Sequence, residues 1–95
     1  MTGESYAGKY LPVFSNALLD VTDTTFNLMG TIMGDPYTSP VIQRTNVWKV
    51  PYALNIIDDS NMPQIDTMIR HCKENVNINI TLAADLCSNI IDYIE

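Results

Sequence analysis

Basic side chains are scarce in this chain of 95 residues. Five Lys and Arg stand against eleven Asp and Glu, so the formal charge is −6 at pH 7. Without a positive cluster to neutralise phosphates, the chain is not expected to bind nucleic acid. The same deficit argues against an anionic membrane surface as a partner. No apolar run approaches the roughly 18 residues of a spanning helix, and residues 1–5 lack the basic start and apolar stretch of a signal peptide.

Histidine and cysteine are nearly absent, with one His and two Cys. His71, Cys72 and Cys87 are spread over two predicted helices without the spacing of metal ligands, so we expect no metal site and no cofactor. Glycine and proline are also few, at four and five residues, while 46% of the chain is apolar. This composition is typical of one small folded domain and excludes a disordered or fibrous chain.

The first half of the chain predicts one helix and one strand. Apolar residues within 6–19 recur at spacings of three and four, which predicts a helix, and Pro12 predicts a loose first turn or a kink. This apolar stripe consists of Leu11, Phe14 and Leu18. Residues 20–25 are polar and suit a connection. Residues 27–33 predict a short buried strand, which ends at the turn signal Gly-Asp-Pro over 34–36.

The second half predicts mainly helices. Residues 46–57 suit a short helix or an irregular segment. Ser60 or Asn61 can cap a helix whose first position is Pro63, and Thr81 can cap the last helix. The buried face of the first of these helices consists of Ile65, Met68, Ile69 and Cys72. The buried face of the last helix consists of Ala83, Leu86, Cys87, Ile90 and Ile94.

One short stretch matches a sequence pattern with a specific chemical role. Residues 3–8 read Gly-Glu-Ser-Tyr-Ala-Gly, which contains the G-x-S-x-[GA] pattern of a nucleophile elbow. In such an elbow a tight turn between a strand and a helix exposes the serine hydroxyl. Small neighbours are needed because the turn brings backbones close together, and the helix points its first N–H groups toward developing negative charge. The pattern alone leaves a second interpretation open, a flexible N-terminal tail.

Longer matches point to a known family. Residues 3–12, Gly-Glu-Ser-Tyr-Ala-Gly-Lys-Tyr-Leu-Pro, resemble the nucleophile segment of the serine carboxypeptidases, an α/β-hydrolase family. Residues 27–34, with Thr38 and Pro40, resemble the strand and loop that follow this segment in the family. Residues 56–58 and the two cysteines resemble part of its helical cap.

The resemblance implies a fold and a domain division. The parent fold is α/β with a mostly parallel sheet, and this chain looks like a piece of it. Residues 1–45 correspond to the elbow, its helix and the next core strand, and residues 46–95 to part of the cap insertion. We therefore expect this piece to be mainly helical with about one strand. Because a lone strand leaves backbone groups without partners, we expect a marginally stable chain with apolar surface exposed over residues 28–33.

The resemblance also assigns roles to three residues. Ser5 corresponds to the nucleophile, and the backbone N–H of Tyr6 to one donor of the oxyanion hole. Glu4 corresponds to the acid that recognises the terminal carboxylate of the substrate. Two carboxyl groups share a hydrogen bond only if one is protonated, so this recognition favours acidic pH. An alternative for Glu4 is a solvated acid at a helix start.

Several expected parts of the site do not match residues of this chain. His71 is interpreted as a surface or helix-end histidine. The acids of the second half are interpreted as caps and solvated faces: Asp58, Asp59, Asp66, Asp85 and Asp92. By the resemblance, the catalytic Asp and His are expected beyond Glu95, and the other oxyanion donor before Met1. Because a serine hydroxyl needs a base, the 95 residues alone are expected to be inactive.

The loop after the predicted strand departs from the family pattern. Asp35 and Pro36 stand where the family has Asn-Gly, which removes a backbone N–H and the freedom for positive φ. Met29 stands where a lysine is commoner. These departures bear on substrate specificity, because ligands of open α/β sheets bind near the carboxyl ends of strands.

The cysteines and one asparagine bear on the compartment. Cys72 and Cys87 are either buried thiols or part of a disulfide, and the resemblance favours oxidation because the cap of the family carries disulfides. Whether they pair with each other or with cysteines outside the chain stays open. Asn79 begins the sequence Asn-Ile-Thr, a possible glycosylation site. The resemblance implies a secretory, vacuolar or extracellular location for the parent.

The leading function implied by the resemblance is a serine carboxypeptidase, which removes C-terminal residues of peptides or proteins through an acyl-enzyme on Ser5. An acyltransferase of the same fold is an alternative, since fold does not fix chemistry. A non-catalytic helical interaction module or remnant is a third.

Overall fold

The computed structural model describes residues 1–21 and 25–95 and divides them into two compact units, Met1–Thr38 and Ser39–Glu95. The described chain is mainly helical with one two-stranded parallel sheet. Its elements are β1 (Thr2–Glu4), α1 (Ala7–Leu19), β2 (Ile32–Gly34), α2 (Pro40–Arg44), α3 (Lys49–Ala53), α4 (Met62–Asn75) and α5 (Ile80–Ile94). Among these described helices, none has the length and apolar character needed to cross a membrane.

The first unit is a strand, a helix and a second strand. β1 and β2 pair in parallel, with Thr2 opposite Ile32 and Glu4 opposite Gly34. Parallel strands need a crossover between them, and α1 lies in that connection. The prediction of a lone strand was therefore wrong, because β1 supplies a hydrogen-bonding partner. Three residues are too few to show a strand periodicity, which is why the sequence did not predict β1 as a full strand.

β2 is shorter and more exposed than predicted. The prediction of a buried strand over residues 27–33 was wrong, since the strand is Ile32–Gly34 and all three residues are exposed. Backbone pairing continues before this strand, because the Ile32 N–H donates to the Met1 carbonyl at 2.9 Å and the Met1 amino group donates to the Gly30 carbonyl at 2.8 Å. Met29 is 88% exposed and Ile32 is 71% exposed, as expected for apolar side chains in this segment.

α1 confirms the predicted helix over residues 6–19. It continues through Pro12, although this residue has no N–H to donate to the preceding turn. Leu11 is buried, whereas Phe14 is 58% exposed, so only part of the predicted apolar stripe is covered. Asp20 follows the helix as its C-cap. The predicted connection over 20–25 includes residues 22–24, which lie outside the described residues.

The second unit is held by α4 and α5. Cys72 on α4 and Cys87 on α5 form a disulfide, which settles the open question of their pairing. Ile65 and Ile90 are fully buried, as their spacing predicted, and Ile90 packs in one cluster with the two cysteines. The partly buried residues that pack against this core are Val41, Val47, Met68, Ile69 and Ile94.

α2 joins this core although the sequence did not predict it. The guanidinium of Arg44 donates to the Ala84 carbonyl at 3.0 Å and to Ser88 Oγ at 2.6 Å, which ties α2 to α5. Compact packing therefore begins at Ser39, whereas the division at residue 45, drawn from the family, remains a prediction about the parent protein. α3 lies within residues 46–57, where a short helix or irregular segment was expected.

The helix caps correct two predictions. α4 begins at Met62 rather than Pro63, with Asn61 at the N-cap position. α5 is capped by Asn79, not Thr81, because the Asn79 side chain accepts a hydrogen bond from the Leu82 N–H at 3.1 Å. Asn and Thr are both good N-caps, so the residue pattern alone does not choose between them.

Candidate active site

Ser5 lies at a tight turn between β1 and α1. Its φ is 54°, a left-handed backbone conformation that residues other than glycine rarely adopt. Three hydrogen bonds hold this conformation. The Ser5 N–H donates to the Gly34 carbonyl at 3.0 Å, and the Ser5 carbonyl accepts from Gly8 N–H at 3.1 Å and from Tyr37 N–H at 2.8 Å. The end of β2 and the loop after it therefore fix the backbone of the candidate nucleophile.

The small residues around Ser5 are required by close packing. A Cβ on Gly3 would lie 2.5 Å from the Ala7 Cβ and 2.9 Å from Leu11 Cδ1. A Cβ on Gly8 would lie 2.8 Å from the backbone nitrogen of Tyr37. Both approaches are closer than carbon side chains tolerate. The strand, tight turn and helix that the sequence pattern predicts are thus present, and the alternative of a flexible tail is wrong.

The Ser5 side chain is exposed. Within residues 1–21 and 25–95, no hydrogen bond engages its hydroxyl, so Oγ is accessible at the turn. His71 lies exposed on α4, in the other unit, which agrees with its interpretation as a surface histidine. In that described part of the chain, no group of three or more His, Cys, Asp or Glu side chains could hold a metal ion.

Tyr6 occupies the N-cap position of α1. Its carbonyl accepts from the Lys9 N–H at 2.9 Å, which closes the first turn of the helix. The Tyr6 N–H belongs to the set of donors that an α-helix leaves without intrahelical partners at its start. A carbonyl oxygen that gains negative charge near Ser5 could accept from this N–H, with support from the helix dipole.

An aromatic cluster surrounds this turn and was not predicted. The Tyr6 ring lies edge-on to Tyr10, with centroids 5.2 Å apart, and stacks with Tyr37 at 6.3 Å. The Lys9 ammonium lies 5.7 Å from the Tyr37 ring centroid and donates to the Thr38 carbonyl at 3.1 Å. Tyr37 follows a predicted turn, but its approach to Ser5 depends on strand pairing, which local sequence does not reveal.

Glu4 is the last residue of β1 and is exposed. It pairs in register with Gly34, where an added Cβ would lie 3.9 Å from Glu4 Cγ. The first turn of α1 contains no acidic residue, so the interpretation of Glu4 as a helix-start acid was wrong. Its carboxylate is solvated and directly precedes Ser5, which leaves it free to meet a ligand there.

The loop after β2 keeps a positive φ despite its proline. Asp35 has a φ of 39°, and the Pro36 Cβ would lie 2.9 Å from a Cβ on Gly8. The positive φ is at Asp35, a residue type that tolerates the left-handed region better than most, whereas Pro36 has neither a positive φ nor an N–H, as the departure from Asn-Gly predicted.

Comparisons with known proteins agree with this geometry. The model of the serine carboxypeptidase family, peptidase family S10, matches residues 1–95. Serine carboxypeptidase S10 family member 1 of Dictyostelium discoideum is 27% identical over 98% of this chain and 23% of its own length. Carboxypeptidase Y homolog A of Sordaria macrospora is 30% identical over 94% of this chain and 18% of its own length.

A shorter match has a higher sequence identity. Carboxypeptidase Y of Saccharomyces cerevisiae is 44% identical over 45% of this chain and 8% of its own length. No solved structure matches the chain. The chain spans less than a quarter of the length of these relatives. Since the family model covers all 95 residues, the chain belongs to the serine carboxypeptidase family.

Proposed function

We propose that this chain carries the nucleophile segment of a serine-type carboxypeptidase with an α/β-hydrolase core. The observation that carries the proposal is the backbone of Ser5, which has a φ of 54° at a strand-to-helix turn. That turn is built from small residues that the packing does not allow to be larger. A strained residue with a free hydroxyl is typical of a site where function, not stability, sets the conformation.

The proposed reaction begins with attack by Ser5 Oγ on the carbonyl carbon of the last peptide bond. The hydroxyl proton passes to a base outside these 95 residues, and the carbonyl oxygen accepts from the Tyr6 N–H while it carries negative charge. Collapse of this intermediate breaks the peptide bond as the base returns the proton to the leaving nitrogen, which releases the C-terminal amino acid, and water then hydrolyses the ester on Ser5. Glu4 holds the terminal carboxylate through a shared proton, so binding is favoured at acidic pH.

The second unit is proposed as part of the helical cap of the parent. The Cys72–Cys87 disulfide supports a secretory, vacuolar or extracellular location, because such bonds persist in oxidising compartments. The base and its orienting acid are proposed to come from other segments of the parent, and the 95 residues alone are expected to show no useful turnover.

A serine-directed phosphonate probe tests the proposal on the native polypeptide that contains these residues. We expect covalent labelling of Ser5, found by peptide mass mapping, and its loss in Ser5→Ala. Ser15→Ala is the matched control, because Ser15 is in the same unit and its hydroxyl is paired with Thr31 Oγ1 at 2.7 Å. Labelling that survives in Ser5→Ala contradicts the proposal. Release of free amino acid, compared with transfer to an added acceptor, separates hydrolysis from acyl transfer.

A further inference from the structure

Asn79 begins the only Asn-x-Ser/Thr sequence of the chain, Asn79-Ile80-Thr81. Both Asn79 and Thr81 are exposed, at the point where the chain leaves the α4–α5 connection and enters α5. Asn79 has an extended backbone, with φ −147° and ψ 101°. An exposed sequon at an extended residue is accessible to modification.

In the Asn79 side chain, the atom that caps the helix differs from the atom to which a glycan would attach. Oδ1 accepts from the Leu82 N–H at 3.1 Å and caps α5. An Asn-linked glycan attaches to Nδ2, and no hydrogen bond from Nδ2 is present among the described residues. Attachment at Nδ2 leaves Oδ1 as an acceptor, so the cap and the glycan are compatible.

Two isoleucines flank this asparagine and face solvent. Ile78 is 80% exposed and Ile80 is 70% exposed. Adjacent exposed apolar side chains promote association between molecules. A bulky hydrophilic group on Asn79 would lie next to both side chains and hinder such contacts.

The disulfide of the same unit supplies independent support. Cys72 and Cys87 are bonded, which is typical of a protein that folds in an oxidising compartment. We propose that Asn79 carries an Asn-linked oligosaccharide, and that this oligosaccharide hinders association between molecules through Ile78 and Ile80. The donor is a lipid-pyrophosphate-linked oligosaccharide. A bond forms between Nδ2 and the anomeric carbon, the bond from that carbon to the pyrophosphate oxygen breaks, and Nδ2 loses one proton.

Peptide mass mapping of the native polypeptide, expressed through a eukaryotic secretory pathway, tests the site. Trypsin cleaves after Lys73, so Asn79 lies in the peptide that begins at Glu74. We expect a sugar mass on this peptide that a glycan-releasing amidase removes, leaving aspartate at position 79. An unmodified peptide overturns the proposal. The outcome is independent of the activity of Ser5.

Four variants separate the glycan from the helix cap. Thr81→Ala keeps the Asn79 cap and Asn79→Asp keeps a capping oxygen, and we expect both to lose the glycan with α5 intact by circular dichroism. Thr81→Ser keeps the sequon and the glycan. Asn89→Asp is the control, because Asn89 is exposed on α5 outside any sequon. A glycan that persists in Thr81→Ala contradicts the site.

Light scattering at matched concentration tests the shielding role. We expect the Thr81→Ala variant to associate several-fold more than the unsubstituted polypeptide. Adding Ile78→Ser to the Thr81→Ala variant should reverse this increase. If the glycan is present but its loss leaves association unchanged, the proposed shielding of Ile78 and Ile80 is wrong.

Discussion

Ser5 combines a strained backbone with a free hydroxyl, and the two properties respond differently to substitution. Glycine adopts a φ of 54° without the penalty that a Cβ brings, so Ser5→Gly should raise the stability of the first unit by about 1 kcal/mol. Ser5→Ala keeps the Cβ and should give no such gain. Native-state hydrogen exchange of the α1 amides measures the difference. Equal protection in the two variants would mean that Ser5 is not strained.

The glycines of the first unit differ in what surrounds them. Gly3→Ala would bring a Cβ to 2.5 Å from Ala7 Cβ, so we expect a loss of about 1–3 kcal/mol, the usual range for overpacking. Gly30→Ala is the matched control, because no atom lies within 4 Å of its added Cβ. Hydrogen exchange of the α1 amides, measured at increasing urea concentration, compares the free energy of unfolding of the two variants. A Gly3→Ala protein as stable as Gly30→Ala contradicts the packing at the turn.

The disulfide joins the two longest helices of the second unit across a sequence separation of 15 residues. Loop closure of this length stabilises a fold by about 3 kcal/mol, so the double variant Cys72→Ala and Cys87→Ala should lose about that amount. Fluorescence of Trp48, the one tryptophan of the chain, reports unfolding of this unit in urea.

Reduction supplies the control for this prediction. When reductant is added, the urea midpoint of the unsubstituted chain should fall to that of the double variant. The midpoint of the double variant itself should not change. If reductant also changes the midpoint of the double variant, then it acts on a group other than this disulfide.

The turn before α4 carries a pH-dependent contact. Asp58 Oδ1 accepts from the Ser60 N–H at 2.8 Å and from Ser60 Oγ at 2.6 Å, and these bonds hold the pKa of Asp58 below its usual range. Since the folded pKa is the lower one, the contact stabilises the fold above the ordinary Asp pKa of about 4 and is lost as pH falls through the lowered value.

Ser60→Ala removes the hydroxyl donor, which is the larger cause of this shift. We expect the pKa of Asp58 to rise toward its usual range in this variant and to stay low in Ser60→Thr, which keeps a hydroxyl. Titration of the Asp58 carboxyl carbon by NMR measures both. An unchanged pKa in Ser60→Ala would assign the shift to the backbone donor alone.

Element length decides what the sequence could predict. α1, α4 and α5 each contain several turns, so a spacing of three and four identified them. β1 has three residues and α2 has five, too few for any period, and both depend on partners elsewhere in the chain. At the candidate site, the pattern predicted the tight turn at Ser5 and the need for small neighbours, whereas Tyr37 could not be predicted because strand pairing brings it there.

The two units of the 95-residue chain should differ in stability. The first unit has a sheet of two three-residue strands, and Leu11 is the one large apolar side chain that is buried within its described residues. The second unit has a disulfide and a buried core. We expect hydrogen exchange to be slow for α4 and α5 amides and fast for α1 amides in the isolated chain. Uniform protection across both units would contradict this, and protection of α1 should rise within the full native polypeptide.

The hydrogen bonds that link Ser5 to Gly34 and to Tyr37 also have a kinetic consequence. The turn at Ser5 lies early in the chain, but the groups that hold its backbone come after a helix and a long connection. Contacts between distant residues form only after the intervening loop has closed. During synthesis, the backbone at position 5 can therefore reach its final conformation only after residue 37 has emerged from the ribosome, so the candidate nucleophile is assembled well after it is made.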